Sequence, residues 1–240
     1  TVGTFGLAQK VVSGYAAHAF AVRSDGTLLA WGWNAYGQLG DGTTTNRLKA
    51  VRVDGISNVI AAAAAYHASV ALKADGTVWA WGDLVNAGAV RPVPAQVAGL
   101  SGMSAVVAGF YHALALKSDG TVWAWGDNAN GRLGDGTTID RALPVQVSGL
   151  SNVVAVAAGE SNSYALLADG TVRAWGYNGS GNLGDGSTTD RSTPVAVSGL
   201  TNASALAAGY RFAAALKTDG TVWMWGYNAD GQAGDGVGGN

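Results

Sequence analysis

The chain is predicted to be all-β, a propeller of five repeats of about 50 residues with four strands in each blade, on three observations. A nine-residue phrase returns five times: Ser24-Asp25-Gly26-Thr27-Leu28-Leu29-Ala30-Trp31-Gly32, then Ala74-Asp75-Gly76-Thr77-Val78-Trp79-Ala80-Trp81-Gly82, with close copies from Ser118, Ala168 and Thr218. The anchoring aspartates Asp25, Asp75, Asp119, Asp169 and Asp219 stand 50, 44, 50 and 50 residues apart, and a period of this size marks a repeat architecture. Within each period, strand-type alternation and turn formers follow one another, and no segment sustains helical spacing of apolar residues.

Each repeat reads in order as four strands. Val106-Val107-Ala108-Gly109 and Val153-Val154-Ala155-Val156-Ala157-Ala158-Gly159 are short runs of β-branched and small residues, suited to a buried strand in a crowded place near an axis. The alternating run Ala113-Leu114-Ala115-Leu116-Lys117, the turn Ser118-Asp119-Gly120 and the run Thr121-Val122-Trp123-Ala124-Trp125-Gly126 form a hairpin signal, because Gly accepts the positive φ that the turn demands. With a period of two, Trp123 and Trp125 face one way, as do Trp79 with Trp81 and Trp223 with Trp225, so the tryptophans are expected to pack one sheet on the next. Asp127 to Thr138 is rich in turn formers. Pro144-Val145-Gln146-Val147 then suits an outer edge strand. Repeat two is six residues shorter around Asp83-Leu84-Val85-Asn86, where the others carry Gly-Asp-Gly.

The step across the termini, from Asp219 to Asn240 and from the start to Asp25, is 46 residues, within the range of the internal steps. This predicts a single domain over 1–240, a closed five-bladed ring with one blade shared by the two ends; a fragment of a larger propeller is the rival reading. An incomplete ring would leave strands unpaired and open to self-association.

Composition narrows the function. Hydrophobic residues make up 48% of the chain and charged residues 12%, about half the usual charged share. The net charge of −2 gives no electrostatic footprint for nucleic acid. Cysteine is absent, which excludes disulfides, thiolate metal sites and cysteine nucleophiles. No apolar run reaches the length of a membrane helix. Thr1-Val2-Gly3 carries no signal-peptide core, and a start without Met suggests a mature or excised segment.

The units Trp125-Gly126-x-Asn128-x-x-Gly131-x-Leu133-Gly134-Asp135-Gly136 and Ala158-Gly159, four residues, Tyr164-Ala165-Leu166, with the Asp-Gly-Thr-Val-Trp-Ala-Trp-Gly hairpin, resemble the repeat of the regulator of chromosome condensation family over essentially the whole chain. The resemblance implies a propeller, usually of seven blades. The founding activity, nucleotide exchange on a small GTPase, is not carried over, because the chain lacks a basic tail and an inserted wedge. The chain looks more like the family's bacterial branch, which includes secreted propellers and proteinaceous β-lactamase inhibitors. This implies an extracellular or cell-surface protein whose loops on one face bind a protein partner.

The turn after each inner strand varies where its flanks repeat: Ala16-Ala17-His18, Tyr66-His67-Ala68, Phe110-Tyr111-His112, Glu160-Ser161-Asn162 and Tyr210-Arg211-Phe212. Equivalent turns gather at one mouth of a propeller, and aromatics with an Arg on one rim have the composition of a protein-binding hot spot. Tyr66, His67, Phe110, Tyr111, His112, Glu160, Tyr210, Arg211 and Phe212 are therefore the expected partner-binding residues. The resemblance also implies that His18 and His112 are structural, bonded to backbone. No catalytic residue, metal or cofactor is assigned: His18, His67, His112 and Glu160 lie on different blades, and no spacing singles out a nucleophile. Asp41, Asp135, Asp185 and Asp235 in the Gly-Asp-Gly loops read as turn residues rather than calcium ligands, with Asp140-Arg141 and Asp190-Arg191 as locally paired charges. The expected function is a non-enzymatic protein-binding scaffold. The alternative is a lectin-like binder with one small-ligand pocket per blade.

Overall fold

The computed structural model describes residues 8–13, 17–84 and 90–236. The start Thr1-Val2-Gly3, Ala16 of the first turn and Val85-Asn86 of the short repeat lie outside the described residues. Each repeat forms one antiparallel sheet with strands hydrogen-bonded in chain order. The first sheet contains β1 (Ala8–Ser13), β2 (His18–Arg23), β3 (Leu28–Gly32) and β4 (Arg47–Arg52), and the second β5 (Val59–Ala64), β6 (Ala68–Lys73), β7 (Val78–Gly82) and β8 (Ala95–Gln96). The third contains β9 (Met103–Ala108), β10 (His112–Lys117), β11 (Val122–Gly126) and β12 (Arg141–Gln146), and the fourth β13 (Val153–Ala158), β14 (Asn162–Leu167), β15 (Val172–Gly176) and β16 (Arg191–Ala196). The fifth has three strands, β17 (Ala203–Ala208), β18 (Phe212–Lys217) and β19 (Val222–Gly226).

The Asp-Gly phrase is the hairpin turn in every sheet, pairing Leu116 with Val122 across the third copy. Gly120 is required there twice over. Its φ is +82°, and a Cβ on it would lie 3.1 Å from Cα of Asn152 in the next sheet. The outer strands begin earlier than predicted, at Arg141 and Arg191, so Pro144 and Pro194 sit inside edge strands rather than at their heads. Their missing N–H costs nothing on the side with no further strand. The shortened second repeat keeps only the two-residue β8.

The tryptophans pack each sheet onto the one before it. Trp81 meets Phe20 edge-on at 5.8 Å, in a cluster with Val22, Leu28 and Leu39. Trp125 packs with Val70, Leu72 and Val78, Trp175 with Leu114, Leu116 and Val122, and Trp225 with Tyr164, Leu166 and Val172. The small residues of β5, β9, β13 and β17 let neighbouring inner strands approach. They line an axial cavity of about 520 Å³, walled by residues such as Ala63, Val107 and Val156.

Closure of the ring is not seen among the described residues: β17, β18 and β19 pack on the fourth sheet but not on β1 or β2 as neighbouring sheets do. Among the described residues the first sheet takes its outer strand β4 from its own repeat and the last sheet has three strands, so the blade expected to be shared between the ends is not seen there.

Candidate functional site: an aromatic rim

The strands β5, β9, β13 and β17 each end in a two-residue turn closed by one backbone bond, as in Ala65 N–H to Ala68 O and Gly109 N–H to His112 O, both 2.9 Å. Gly109 has no room for a side chain, because a Cβ would strike the imidazole of His112 and the carbonyl of Gly159. In the second sheet Ala65 stands at this place opposite the small Ala68. The turns are then linked to one another through the main chain. Tyr66 N–H donates to Phe110 O at 2.8 Å, Phe110 N–H to Glu160 O at 3.3 Å, and Glu160 N–H to Tyr210 O at 3.0 Å. Four of the five predicted turns are thereby held side by side, with Tyr66, Phe110, Glu160 and Tyr210 at matching places.

Their rings form a continuous surface. Tyr66 stacks on Phe110 at 5.2 Å, Phe110 meets Tyr210 at 5.4 Å, and Tyr111 stands edge-on to Tyr66 at 5.8 Å. Tyr210 is 44% exposed, and Tyr66, Phe110 and Tyr111 are half-buried. Arg211 binds the Glu160 carboxylate at 2.7 Å and lies over Tyr210 and Tyr177. The hydrogen bond to Glu160 holds the Arg211 guanidinium charged more firmly than usual and raises the Tyr210 hydroxyl, which donates to the same carboxylate. Burial raises the Tyr111 phenol, helped by Tyr66 and the nearby carboxylates Asp127 and Glu160.

Two predicted residues are placed differently. His112 has no exposed surface, so it does not belong to the rim. Its Nε2 lies 2.8 Å from Ser163 Oγ in the next sheet, and Ser163 donates to the backbone of Arg132. His18 makes the same link through Ser69 to Gln38 O. Both imidazoles are structural, but they reach backbone through a serine rather than directly. His67 is buried beneath the rim with its ring stacked on Tyr36 at 3.9 Å. Phe212, at the place of His112, is half-buried.

Sequence reasoning missed Trp33, Tyr36 and Tyr177. Trp33 lies within 5.8 Å of the rings of Tyr36, His67 and Tyr66. The cause is a backbone bond that recurs in each sheet. The residue after the Trp-Gly pair donates to the second turn residue: Trp33 to Ala17, Asp83 to His67, Asp127 to Tyr111, Tyr177 to Ser161 and Tyr227 to Arg211. The variable x of Trp-Gly-x-Asn was the available signal, since it too changes between constant neighbours.

The Gly-Asp-Gly loops lie elsewhere and are internally spent. Asp135 accepts from Thr137 and Asn128 and pairs with Arg141 at 2.7 Å, and Asp41 and Asp185 do the same with Arg47 and Arg191. This corrects the expected Asp140-Arg141 and Asp190-Arg191 pairs. Successive strand residues point apart, so the arginine reaches back six residues while Asp140 and Asp190 accept from the N–H of Asn128 and Asn178. Among the described residues no group of three or more His, Cys, Asp or Glu is placed to hold a metal ion.

Two profiles of the Regulator of chromosome condensation (RCC1) repeat match the chain, one over 25–72, 119–166 and 169–216, the other over 8–38, 103–132, 153–182 and 203–232. The chain belongs to the RCC1 repeat family. Human Protein RCC2 is 37% identical over 100 residues, which is 37% of this chain and 19% of that protein. The Arabidopsis thaliana ultraviolet-B receptor UVR8 is 34% identical over 79 residues, 32% of this chain and 18% of the receptor. Among solved structures, yeast RCC1 (Prp20) bound to Kap60 superposes with a TM-score of 0.79 at 26% identity, over 91% of this chain and 55% of that one. Human WBSCR16 gives 0.76 at 25% identity, over 86% and 57%. The chain thus spans little more than half of these two solved structures and under a fifth of the curated relatives. These relatives are eukaryotic and lend no support to the expected bacterial, secreted setting.

Proposed function

We propose that this RCC1-repeat chain is a non-enzymatic protein-binding scaffold whose contact surface is the aromatic rim. The carrying observation is the continuous row of rings from Trp33 and Tyr36 through Tyr66 and Phe110 to Tyr210, mounted on turns tied together by main-chain bonds. Rigid, half-buried Tyr and Trp with an anchored Arg supply contact area at little entropic cost. The yeast relative, whose structure is known bound to Kap60 and which has been studied for its binding to Gsp1p and histones, agrees with a binding role for the fold. A lectin-like array is less well supported, because repeated pockets need the same polar residues in each repeat, and no polar residue recurs through all the rim turns.

The test is to select a binding protein against the intact chain, determine its affinity, and repeat the measurement with Tyr111→Ser, Tyr210→Ser and Arg211→Ser combined. A loss of more than about tenfold is expected, with thermal unfolding little changed because these side chains are partly exposed. Equal affinity for the triple variant and the parent chain overturns the rim assignment.

A further inference from the structure

We propose that the outer strand of the first sheet, β4, is a docking edge that takes an extended acidic segment of a partner protein as a fifth strand. The proposal concerns the outer edges of the sheets and stands apart from the rim. The four outer strands share one register, fixed by the bond that follows each: Val53 N–H to Leu28 O, Val97 to Val78, Val147 to Val122 and Val197 to Val172. Three residues before that valine the second, third and fourth sheets carry proline, as Pro94, Pro144 and Pro194. The first sheet carries Ala50 there. Along an antiparallel strand the N–H groups point alternately to its two sides. Val51, paired with Ala30, and Val53, bonded to Leu28, face β3, so Ala50 and Arg52 turn their N–H groups outward. Proline at this place closes an edge to further pairing, because it has no donor to offer. Among the four described outer strands β4 alone keeps the donor.

The same strand differs in charge. Lys49 and Arg52 are exposed. Their places in the other outer strands hold no charge, being Val93, Leu143 and Thr193 for the first and Gln96, Gln146 and Ala196 for the second. Arg47 is taken by Asp41. Asp54 lies past the end of the strand, with its N–H bonded to Gly40 O. Leu48 is 100% exposed and adds an apolar contact. A strand added to a sheet edge gains affinity from main-chain bonds and selectivity from the side chains beside it. Two cations on one short edge select carboxylates on the incoming strand, whereas a second copy of β4 would crowd four cations along the joint. The edge is open through the order of the strands within a sheet. The strands β12 and β16 form the same outer edge in sheets packed on both sides, and there too Leu143 is 66% exposed.

The probe is a fluorescently labelled peptide of about eight residues alternating valine with glutamate, and its binding to the whole chain is read by anisotropy at low salt. The parent chain is expected to bind it, and to bind the same peptide with lysine for glutamate at least tenfold more weakly. Ala50→Pro copies the three sister strands, so it keeps the fold, which thermal unfolding checks, and it is expected to weaken the acidic peptide at least tenfold. The parent is expected to lose the peptide likewise when the peptide's own N–H groups are methylated, a control that leaves the protein unaltered. Lys49→Glu combined with Arg52→Glu should reverse the preference, and the triple rim variant should bind the acidic peptide as the parent does. No binding by the parent up to about 1 mM, or equal binding of the acidic and basic peptides, overturns the proposal. Equal binding by Ala50→Pro and by the parent reduces the contact to charge without strand addition and overturns it as well, and loss in the rim variant moves the peptide to the rim and does the same.

Discussion

His112 shows how one buried side chain can set the response of the molecule to acid. Ser163 spends its proton on the carbonyl of Arg132, so the imidazole must donate from Nε2 and is neutral, with Nδ1 unprotonated. Burial, with the nearby Arg132 charge, pushes its pKa down to about 3, and burial pushes His18 down to about 4. A histidine whose folded pKa lies below its unfolded value of 6.5 contributes stability that is complete above pH 6.5 and is lost as pH falls towards the folded value. Stability is therefore expected to drop by a few kcal/mol between about pH 6.5 and pH 4, read by urea unfolding at a series of pH values. His112→Asn, which copies Asn162 at the equivalent place, should flatten that slope at the cost of about 1 kcal/mol at pH 7. An unaltered slope would remove His112 from the account. The sequence placed this histidine on the rim because turn alignment gives position along the strand but not depth. The first residue of β10 turns inward, and only the serine of the next sheet reveals it.

At the scale of the element, the sheets and the loops divide what could be read from the chain. Strands and hairpins were legible because each apolar alternation is bounded by an Asp-Gly turn and repeated, and the role of the tryptophans followed from their period of two. Trp175→Ala removes a fully buried ring from between two sheets and is expected to cost about 3 to 5 kcal/mol. Trp223→Ala, at a ring 41% exposed, should cost well under half of that. Chemical denaturation of both variants checks the order. The shape of the Gly-Asp-Gly loops was not legible, since it depends on a hub outside the loop, 7 to 11 residues before the groups it binds there. Asn128 is buried, and its amide donates to Asp135 and to the carbonyls of Thr137 and Ile139, while its oxygen accepts from Leu133 N–H. Asn128→Ala strands these groups and is expected to destabilise the chain by about 2 to 3 kcal/mol, with the backbone amide of Leu133 losing exchange protection by NMR. The missed rim residues have a similar origin. Trp33 and Tyr177 are delivered by the bond between the third strand and the turn, a contact across the sheet that local pattern does not encode.

In the whole molecule, stability is a chain of neighbour contacts rather than one central core. Among the described residues the inner sheets are covered on both sides, while the last has one covered side, Leu216 and Val222 exposed, and no outer strand. Opening should therefore begin at that end. Hydrogen exchange of the chain is expected to show amides of β18 and β19 exchanging at least tenfold faster than those of β10 and β11, and uniform protection would contradict it. The number of sheets was readable from the spacing of the aspartates, yet closure was not. A step of the right length says that a further sheet would fit, whereas closure requires two particular faces to meet. The main-chain ladder that joins Tyr66, Phe110, Glu160 and Tyr210 has a last consequence. Because amides and carbonyls alone make those joints, each of the four side chains can be exchanged without a compensating change in its neighbours' backbone. The mouth of this arc is a surface that selection, or a library of variants, can rewrite one letter at a time while the frame behind it stays put.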